Sequence, residues 1–357
     1  MKEVHWYKYG LWFLVFLFTA CNPASDVEEV ETISHIWTDN FNYTYSVSAE
    51  TYSQGLISYK LYNAENITWY YPITHMGSYY NAPLYAINAT LQEVCNVLNL
   101  PIEEVLDLTV DQQRLATLDL PSAIIPGVKV GDPSKEIEAL VLTLTEFSDV
   151  DRVQLTFGSE IQSFIGDYNM NDISLPLNRI ERYNDNVYYQ GQGLRMVFYW
   201  LHRESGNLVP VTHIIESGMS IEEELEYILD LLMQVPEAQR SIASSTMLNL
   251  NNHLESALAP FWQAGGERPK ISLHGQLLQI NLDGSLLLQY RNDPRLVQAL
   301  TAMTRTFLDF APATIHEVQF LVNDRPSNLS FGLFSLAEPI TALPFINVQK
   351  NEQIVSE

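Results

Sequence analysis

The chain has 357 residues and carries 43 Asp and Glu against 19 Lys and Arg, which gives a formal net charge of −24. Because 46% of the residues are hydrophobic and only 17% are charged, this composition indicates folded domains with apolar cores and excludes an acidic disordered chain. The negative charge also argues against a nucleic-acid partner, since a phosphate backbone is bound by clustered Lys and Arg.

The N-terminus has the layout of a secretory signal peptide. Two lysines precede an unbroken apolar run at 11–18, which is about half as long as a transmembrane helix must be. The sequence Leu17-Phe18-Thr19-Ala20-Cys21 resembles a bacterial lipobox, in which the cysteine is acylated and becomes the first mature residue. We therefore predict a lipoprotein signal peptide at 1–20 and lipidation at Cys21. Ordinary cleavage nearby, which would leave a free thiol, is the alternative.

Residues 21–50 are predicted to be an acidic tether. This stretch contains several carboxylates and neither Lys nor Arg, so an anionic lipid surface would repel it. Several acyl chains on one cysteine would hold the protein on a membrane, because each buried methylene contributes about 0.8 kcal/mol. The expected location is the extracytoplasmic face of the cell membrane, with the folded part held away from the lipid.

The rest of the chain contains an internal repeat. Gly55-Leu56 begins a β-branched and aromatic stretch that reaches Tyr71-Pro72-Ile73-Thr74-His75. Gly193-Leu194 begins a second stretch that reaches Val209-Pro210-Val211-Thr212-His213. Both stretches alternate around a polar turn, and each therefore predicts a β-hairpin.

A helix is predicted after each hairpin. Thr90 with Glu93, and Ser220 with Glu223, have the spacing of capping boxes and predict the two helix N-termini. Cys95 falls on the apolar face of the first helix, where a small buried side chain is favoured over a reactive thiol.

The second half of each copy also aligns. Ile137-Glu138-Ala139-Leu140 and Val297-Gln298-Ala299-Leu300 predict a second helix, and closing strands follow at 153–157 and 318–322. Each copy thus has the order ββαββα plus a closing strand, which predicts an α+β fold of two tandem two-layer modules, each a mixed sheet with two helices on one face. The predicted parts are a first domain at 51–160, a linker at 161–190, a second domain at 191–325 and a C-terminal tail at 326–357 that frays from Asn347.

These pieces resemble the GerM-type sporulation and germination domain of endospore-forming bacteria. The similar parts are the strand that leads to Val209-Pro210-Val211, the acidic helix that ends near Pro236, and the run 139–147 before Val150 and Val153. The resemblance implies two tandem GerM-like domains with a fold similar to ring-building modules. It also implies a non-enzymatic lipoprotein of the cell envelope, linked to sporulation or germination.

Few residues suggest chemistry. His75 and His213 occupy matching places and are either structural hydrogen-bonding groups or, less favoured, ligands or acid–base groups. Neither lies in an HExxH or CxxC context, and the sequence has no nucleophile elbow and no glycine-rich phosphate loop. We therefore predict no enzyme activity, no metal and no cofactor. An envelope hydrolase is the least favoured function.

Aromatic residues around Trp69 and Trp200 leave two interpretations open, namely a core or an interface that stacks on sugars or protein. The leading hypothesis is an envelope assembly or interaction protein, anchored in the membrane through Cys21, whose partners are further copies of itself or other envelope proteins. The alternative is a ligand- or glycan-binding lipoprotein with a site between the modules and peptidoglycan as its partner.

Overall fold

The computed structural model describes residues 55–350, apart from short gaps and one longer one at 235–252. The gaps are 65–66, 77–81, 102–106, 128–134, 163, 166–167, 170–176, 180–182, 185–193, 216–217, 235–252, 264, 311–314, 332–333 and 342–344. The described residues belong to one compact unit. The predicted signal peptide, the tether and Cys21 lie outside the described residues.

The first module begins with an antiparallel hairpin. Its elements are β1 (Leu56–Ala64), β2 (Ile67–Met76), α1 (Ala82–Leu98), β3 (Asp107–Val110), β4 (Leu115–Leu120), a 3-10 helix (Ser122–Gly127), α2 (Lys135–Thr145) and β5 (Arg152–Phe157). Three short strands follow: β6 (Phe164–Ile165), β7 (Tyr168–Asn169) and β8 (Leu177–Asn178). The four-stranded sheet has the order β3-β4-β5-β8, in which only β4 and β5 are parallel.

The second module repeats this plan with additions. Its elements are β9 (Leu194–His202), β10 (Leu208–Ile215), α3 (Ile221–Met233), β11 (Leu254–Glu255), α4 (Ala259–Gln263), β12 (Lys270–His274), β13 (Leu277–Leu282), α5 (Gly284–Gln289), α6 (Pro294–Leu308) and β14 (Glu317–Val322). They are followed by β15 (Arg325–Pro326), β16 (Ser330–Phe331), β17 (Phe334–Ser335) and β18 (Val348–Lys350).

The two modules share one topology. The second four-stranded sheet has the order β12-β13-β14-β15 with one central parallel pair, as in the first module. A helix connects the parallel strands in both, because parallel neighbours need a long crossover. The predicted α+β fold of tandem modules is therefore confirmed. In both modules the opening hairpin belongs to a separate sheet from the four later strands.

The structure confirms one of the two predicted helix N-termini and contradicts the other. Ser220 and Glu223 form the predicted reciprocal capping box at the start of α3. The prediction at Thr90 is wrong, since α1 already begins at Ala82 and buries Thr90 in its middle. The apolar face of α1 extends back to Ala82, so packing rather than the cap sets its start. The Thr90 hydroxyl instead accepts a hydrogen bond of 2.9 Å from the Tyr59 backbone N–H.

The Ser220 cap allows a direct test of helix stabilisation. We expect Ser220→Ala to lower the free energy of unfolding by about 1 kcal/mol, because the N–H of Glu223 loses its acceptor. Denaturant unfolding followed by circular dichroism measures the change. Ser220→Asp, which keeps an acceptor at the same position, is the control and should leave the midpoint nearly unchanged.

The C-terminal segment is part of the fold. The sequence predicted a frayed end from Asn347, but β18 pairs in parallel with β2 of the first module. Ile346, two residues before β18, is fully buried. The short strand carries little periodicity, so its pairing depends on contacts with β2 that are distant in sequence. Residues late in the chain thereby extend the hairpin sheet of the first module.

Candidate functional site

The two modules meet in a shared apolar core. Trp69, Tyr71 and Ile73 on β2 belong to the same buried cluster as the side chains of β9, β10, α3 and α6. Trp69 is 0% exposed and Trp200 is 2% exposed, so these aromatic residues are core residues. Neither indole has a free face on which a sugar ring could stack. This burial removes the two tryptophans that the glycan-binding hypothesis requires.

An asparagine between the modules connects their hairpins. Asn184 is 2% exposed and has a left-handed backbone conformation, with φ of 50°. Its Oδ1 accepts a hydrogen bond of 2.9 Å from the Tyr70 N–H, and its Nδ2 donates one of 2.7 Å to the Tyr70 carbonyl. Nδ2 also donates to the Pro210 carbonyl at 2.7 Å. One side-chain amide therefore joins β2 of the first module to β10 of the second.

A second asparagine makes the reciprocal set of bonds. Asn347 also has φ of 50°. Its Oδ1 accepts from the Leu208 N–H at 2.6 Å, and its Nδ2 donates to the Leu208 and Pro72 carbonyls, both at 2.8 Å. Leu208 and Pro210 occupy the places in the second copy that Tyr70 and Pro72 occupy in the first. The two sets of bonds are thus related by the internal repeat.

The residues just before the asparagines extend this relation. Tyr183 donates its N–H to the Thr212 hydroxyl and accepts the Thr212 N–H at its carbonyl, both at 2.8 Å. Ile346 makes the same pair of contacts with Thr74, at 3.2 Å and 3.1 Å. The segment after each module therefore pairs with the threonine of the other module.

We call these four residues, Tyr183, Asn184, Ile346 and Asn347, the asparagine clasp. It uses both halves of the repeated Pro-x-Thr sequence, since the proline carbonyl and the threonine hydroxyl each accept a hydrogen bond across the junction. Sequence reasoning found the repeated prolines and threonines but missed the asparagines. The only local signal for them is the tolerance of asparagine for positive φ.

A polar network lies on the first-module side of the junction. Arg179 donates to the Thr145 carbonyl and to the Glu146 carboxylate, both at 2.7 Å. Glu146 also accepts from the Tyr59 hydroxyl at 2.9 Å. Burial and the nearby Glu146 charge raise the pKa of Tyr59 well above its usual value, so the phenol stays protonated and donates. Arg179, in the predicted linker, thus links Tyr183 to α2.

A related group lies in the second module. The Tyr199 hydroxyl donates to the Asp309 carboxylate at 3.0 Å, and the guanidinium of the buried Arg305 lies over the Tyr199 ring at 5.5 Å. Burial raises the pKa of Asp309, while Tyr199, Arg305 and Arg179 oppose this increase. The charge of Arg179, in the first-module network, thus lowers the pKa of Asp309 in the second module.

The matched histidines have structural partners. His75 Nε2 lies 2.7 Å from the Ser58 hydroxyl within the first hairpin, and burial lowers the pKa of His75. His213 Nε2 accepts a hydrogen bond of 3.1 Å from the Trp200 indole N–H, and burial lowers the pKa of His213 to about 4. Within the part of the chain that the structure describes, no three His, Cys, Asp or Glu side chains are grouped as metal ligands. Cys95 is buried and free, as predicted.

Because the folded state holds His213 neutral, its contribution to stability is present above pH 6.5 and is lost as the pH falls toward 4. We expect this single group to remove up to about 3 kcal/mol over that interval. Urea unfolding at several pH values measures the loss. His213→Gln should flatten the pH dependence, whereas the same change at the exposed His274 should not.

Comparison with known proteins identifies the fold. No family model and no curated protein matches the sequence. Among solved structures, the tandem GerMN domains of the sporulation protein GerM from Bacillus subtilis are similar at 15% identity, with a TM-score of 0.50, over 82% of this chain and 99% of that chain. The chain has the fold of tandem GerMN domains.

Two further solved structures match parts of the chain. The first GerMN domain of the same Bacillus subtilis protein covers 41% of this chain and 93% of its own, at 11% identity and a TM-score of 0.26. A putative lipoprotein from Clostridium perfringens covers 42% and 87%, at 15% identity and a TM-score of 0.18. In the described part of this GerMN-fold chain, no helix has the length and apolar character needed to cross a membrane.

Proposed function

We propose that this protein is a non-enzymatic, lipid-anchored envelope protein that acts as an assembly or interaction component in sporulation or spore germination. The observation that carries the proposal is the pair of GerMN-fold modules joined face to face by the asparagine clasp. The clasp joins the two modules into one body, so the outer surfaces of both modules are held together for binding a partner. The described residues supply buried structural hydrogen bonds at the junction instead of a group of acid, base and nucleophile.

The anchor is tested by metabolic labelling. In the producing organism, the full chain should incorporate a labelled fatty acid and fractionate with membranes. Cys21→Ala should abolish the label and release the protein or leave it unprocessed. Incorporation that persists in Cys21→Ala would exclude Cys21 as the acylated residue.

The role in assembly is tested by deletion and cross-linking. Deleting the gene should reduce the number of heat-resistant spores or the fraction that germinates, and in-cell cross-linking should join the protein to itself or to other envelope proteins. Normal spores, together with a protein that is cross-linked to nothing, would contradict the proposal. Retention on purified peptidoglycan without any protein partner would favour the glycan-binding alternative.

A further inference from the structure

Three ring nitrogens at the junction of the modules are buried without a hydrogen-bond partner in the protein. They are Trp69 Nε1 from the first module and His202 Nε2 and His253 Nε2 from the second. Trp69 and His202 are both 0% exposed. Because a buried polar atom without a partner costs about 1–3 kcal/mol, three of them in one place point to a polar ligand.

The three rings form a small triangle. The centroid of Trp69 lies 5.8 Å from that of His202 and 5.3 Å from that of His253, and the two imidazoles are 6.5 Å apart. The Tyr62 ring covers the group, at 4.6 Å from Trp69 and 4.7 Å from His202. Rings this close together can share one small molecule if their ring nitrogens face it at a hydrogen-bond distance of about 3 Å.

The hydrogen bonds of His202 define its tautomer. Its Nδ1 accepts the Ser205 backbone N–H at 3.3 Å and lies 2.8 Å from the Ser205 hydroxyl. A neutral imidazole with Nδ1 as acceptor carries its proton on Nε2. His202 Nε2 and Trp69 Nε1 are therefore both donors, and His253 Nε2 is the one group of the three that can accept.

The surroundings favour a neutral ligand. The Glu204 carboxylate already accepts a hydrogen bond of 2.6 Å from the Tyr62 hydroxyl. Burial lowers the pKa of His202 by more than the Glu204 charge raises it, and His253 lowers it further, so two imidazolium ions side by side are disfavoured. A metal ion does not suit these atoms, since an indole N–H and a protonated Nε2 have no lone pair to give.

We propose that Trp69, His202 and His253 bind one ordered water molecule that joins the two modules. The water accepts hydrogen bonds from Trp69 Nε1 and His202 Nε2 and donates one to His253 Nε2. This geometry satisfies all three ring nitrogens at once and matches the three hydrogen bonds that a buried water typically makes. The inference concerns the junction itself and does not depend on the proposed function.

The test is a high-resolution crystal structure of the full chain grown with bromide as the only halide. We expect a water within hydrogen-bond distance of all three nitrogens and no anomalous signal there. An anomalous bromide peak would overturn the proposal in favour of an anion. Rings that turn to bond one another, with no density between them, would overturn it in favour of a dry contact.

Nuclear magnetic resonance provides a second measurement, and a matched pair of variants identifies the two indole signals that it compares. Trp69→Phe removes an indole donor that has no protein partner, whereas Trp200→Phe removes one that donates to His213. In nuclear magnetic resonance of the full chain, the Trp69 indole proton should show a cross-peak to bound water and the Trp200 indole proton should not. The absence of a water cross-peak at Trp69 would contradict the proposal even if neither variant folds.

Discussion

Replacing Asn184 by alanine is expected to lower the free energy of unfolding by about 3 kcal/mol or more. The change removes the hydrogen-bond partners of Tyr70 N, Tyr70 O and Pro210 O, and each buried group left without a partner costs about 1–3 kcal/mol. Alanine also tolerates a φ of 50° less well than asparagine, whose short polar side chain can hydrogen-bond locally. This difference adds about 1 kcal/mol. Chemical denaturation of the chain measures the sum.

Two control variants separate these contributions. Asn184→Gly tolerates the positive φ, so its loss reports the hydrogen bonds together with the greater freedom of glycine in the unfolded chain, about 0.5–1 kcal/mol. Asn99→Ala makes the same substitution at φ of 56° on an exposed residue and should cost only the backbone part. Asn347→Ala should resemble Asn184→Ala, because its side chain makes the reciprocal bonds. If Asn184→Ala were as mild as Asn99→Ala, the clasp would not hold the modules together.

The clasp gives the repeated Pro-x-Thr sequence the same structural role in both copies. Pro72 and Pro210 cannot donate a backbone hydrogen bond, so each presents only its carbonyl to the asparagine of the clasp. Thr74 and Thr212 add a hydroxyl beside that carbonyl. Each module therefore contributes the same surface to the junction, as in an isologous dimer that has been joined into one chain.

The fold was largely predictable because its signals are local. The hairpin and closing-strand patterns and the Ser220 capping box correspond to β1, β2, β5, β9, β10, β14 and the start of α3. The prediction at Thr90 failed because a capping-box spacing can also occur inside a helix. There the buried hydroxyl bonds Tyr59 and Thr143 instead of the helix end.

The junction was not predictable because its polar contacts join residues far apart in sequence. Arg179 and Asn184 lie in a stretch that has the composition of a linker, and Asn347 lies near the end of the chain. Nothing near them indicates a partner, since Asn347 bonds Pro72 and Leu208, which belong to different modules. The repeated prolines and threonines were the sequence signal of the junction, but they did not show which residues bind them.

The second large effect is expected at Arg305, which is 8% exposed. Arg305→Met removes one of the cations, with Arg179, whose charge opposes the raised pKa of Asp309, and leaving a buried carboxylate less compensated should cost about 3 kcal/mol. The carboxyl already has a raised pKa in the folded state, and the variant raises it further. The penalty should therefore grow as the pH rises above about 4, where the unfolded carboxyl ionises.

Urea unfolding of Arg305→Met and of the unmodified chain at pH 5 and pH 8 tests both the size and the sign of this effect. The difference between the two proteins should be larger at pH 8, because a charged Asp309 then lacks the compensation that Arg305 provides. Arg305→Met combined with Asp309→Asn should recover much of the loss, since a neutral amide still accepts from the Tyr199 hydroxyl. A deficit that is equal at both pH values and unaffected by Asp309→Asn would mean that Arg305 acts through packing on the Tyr199 ring, with its charge contributing nothing.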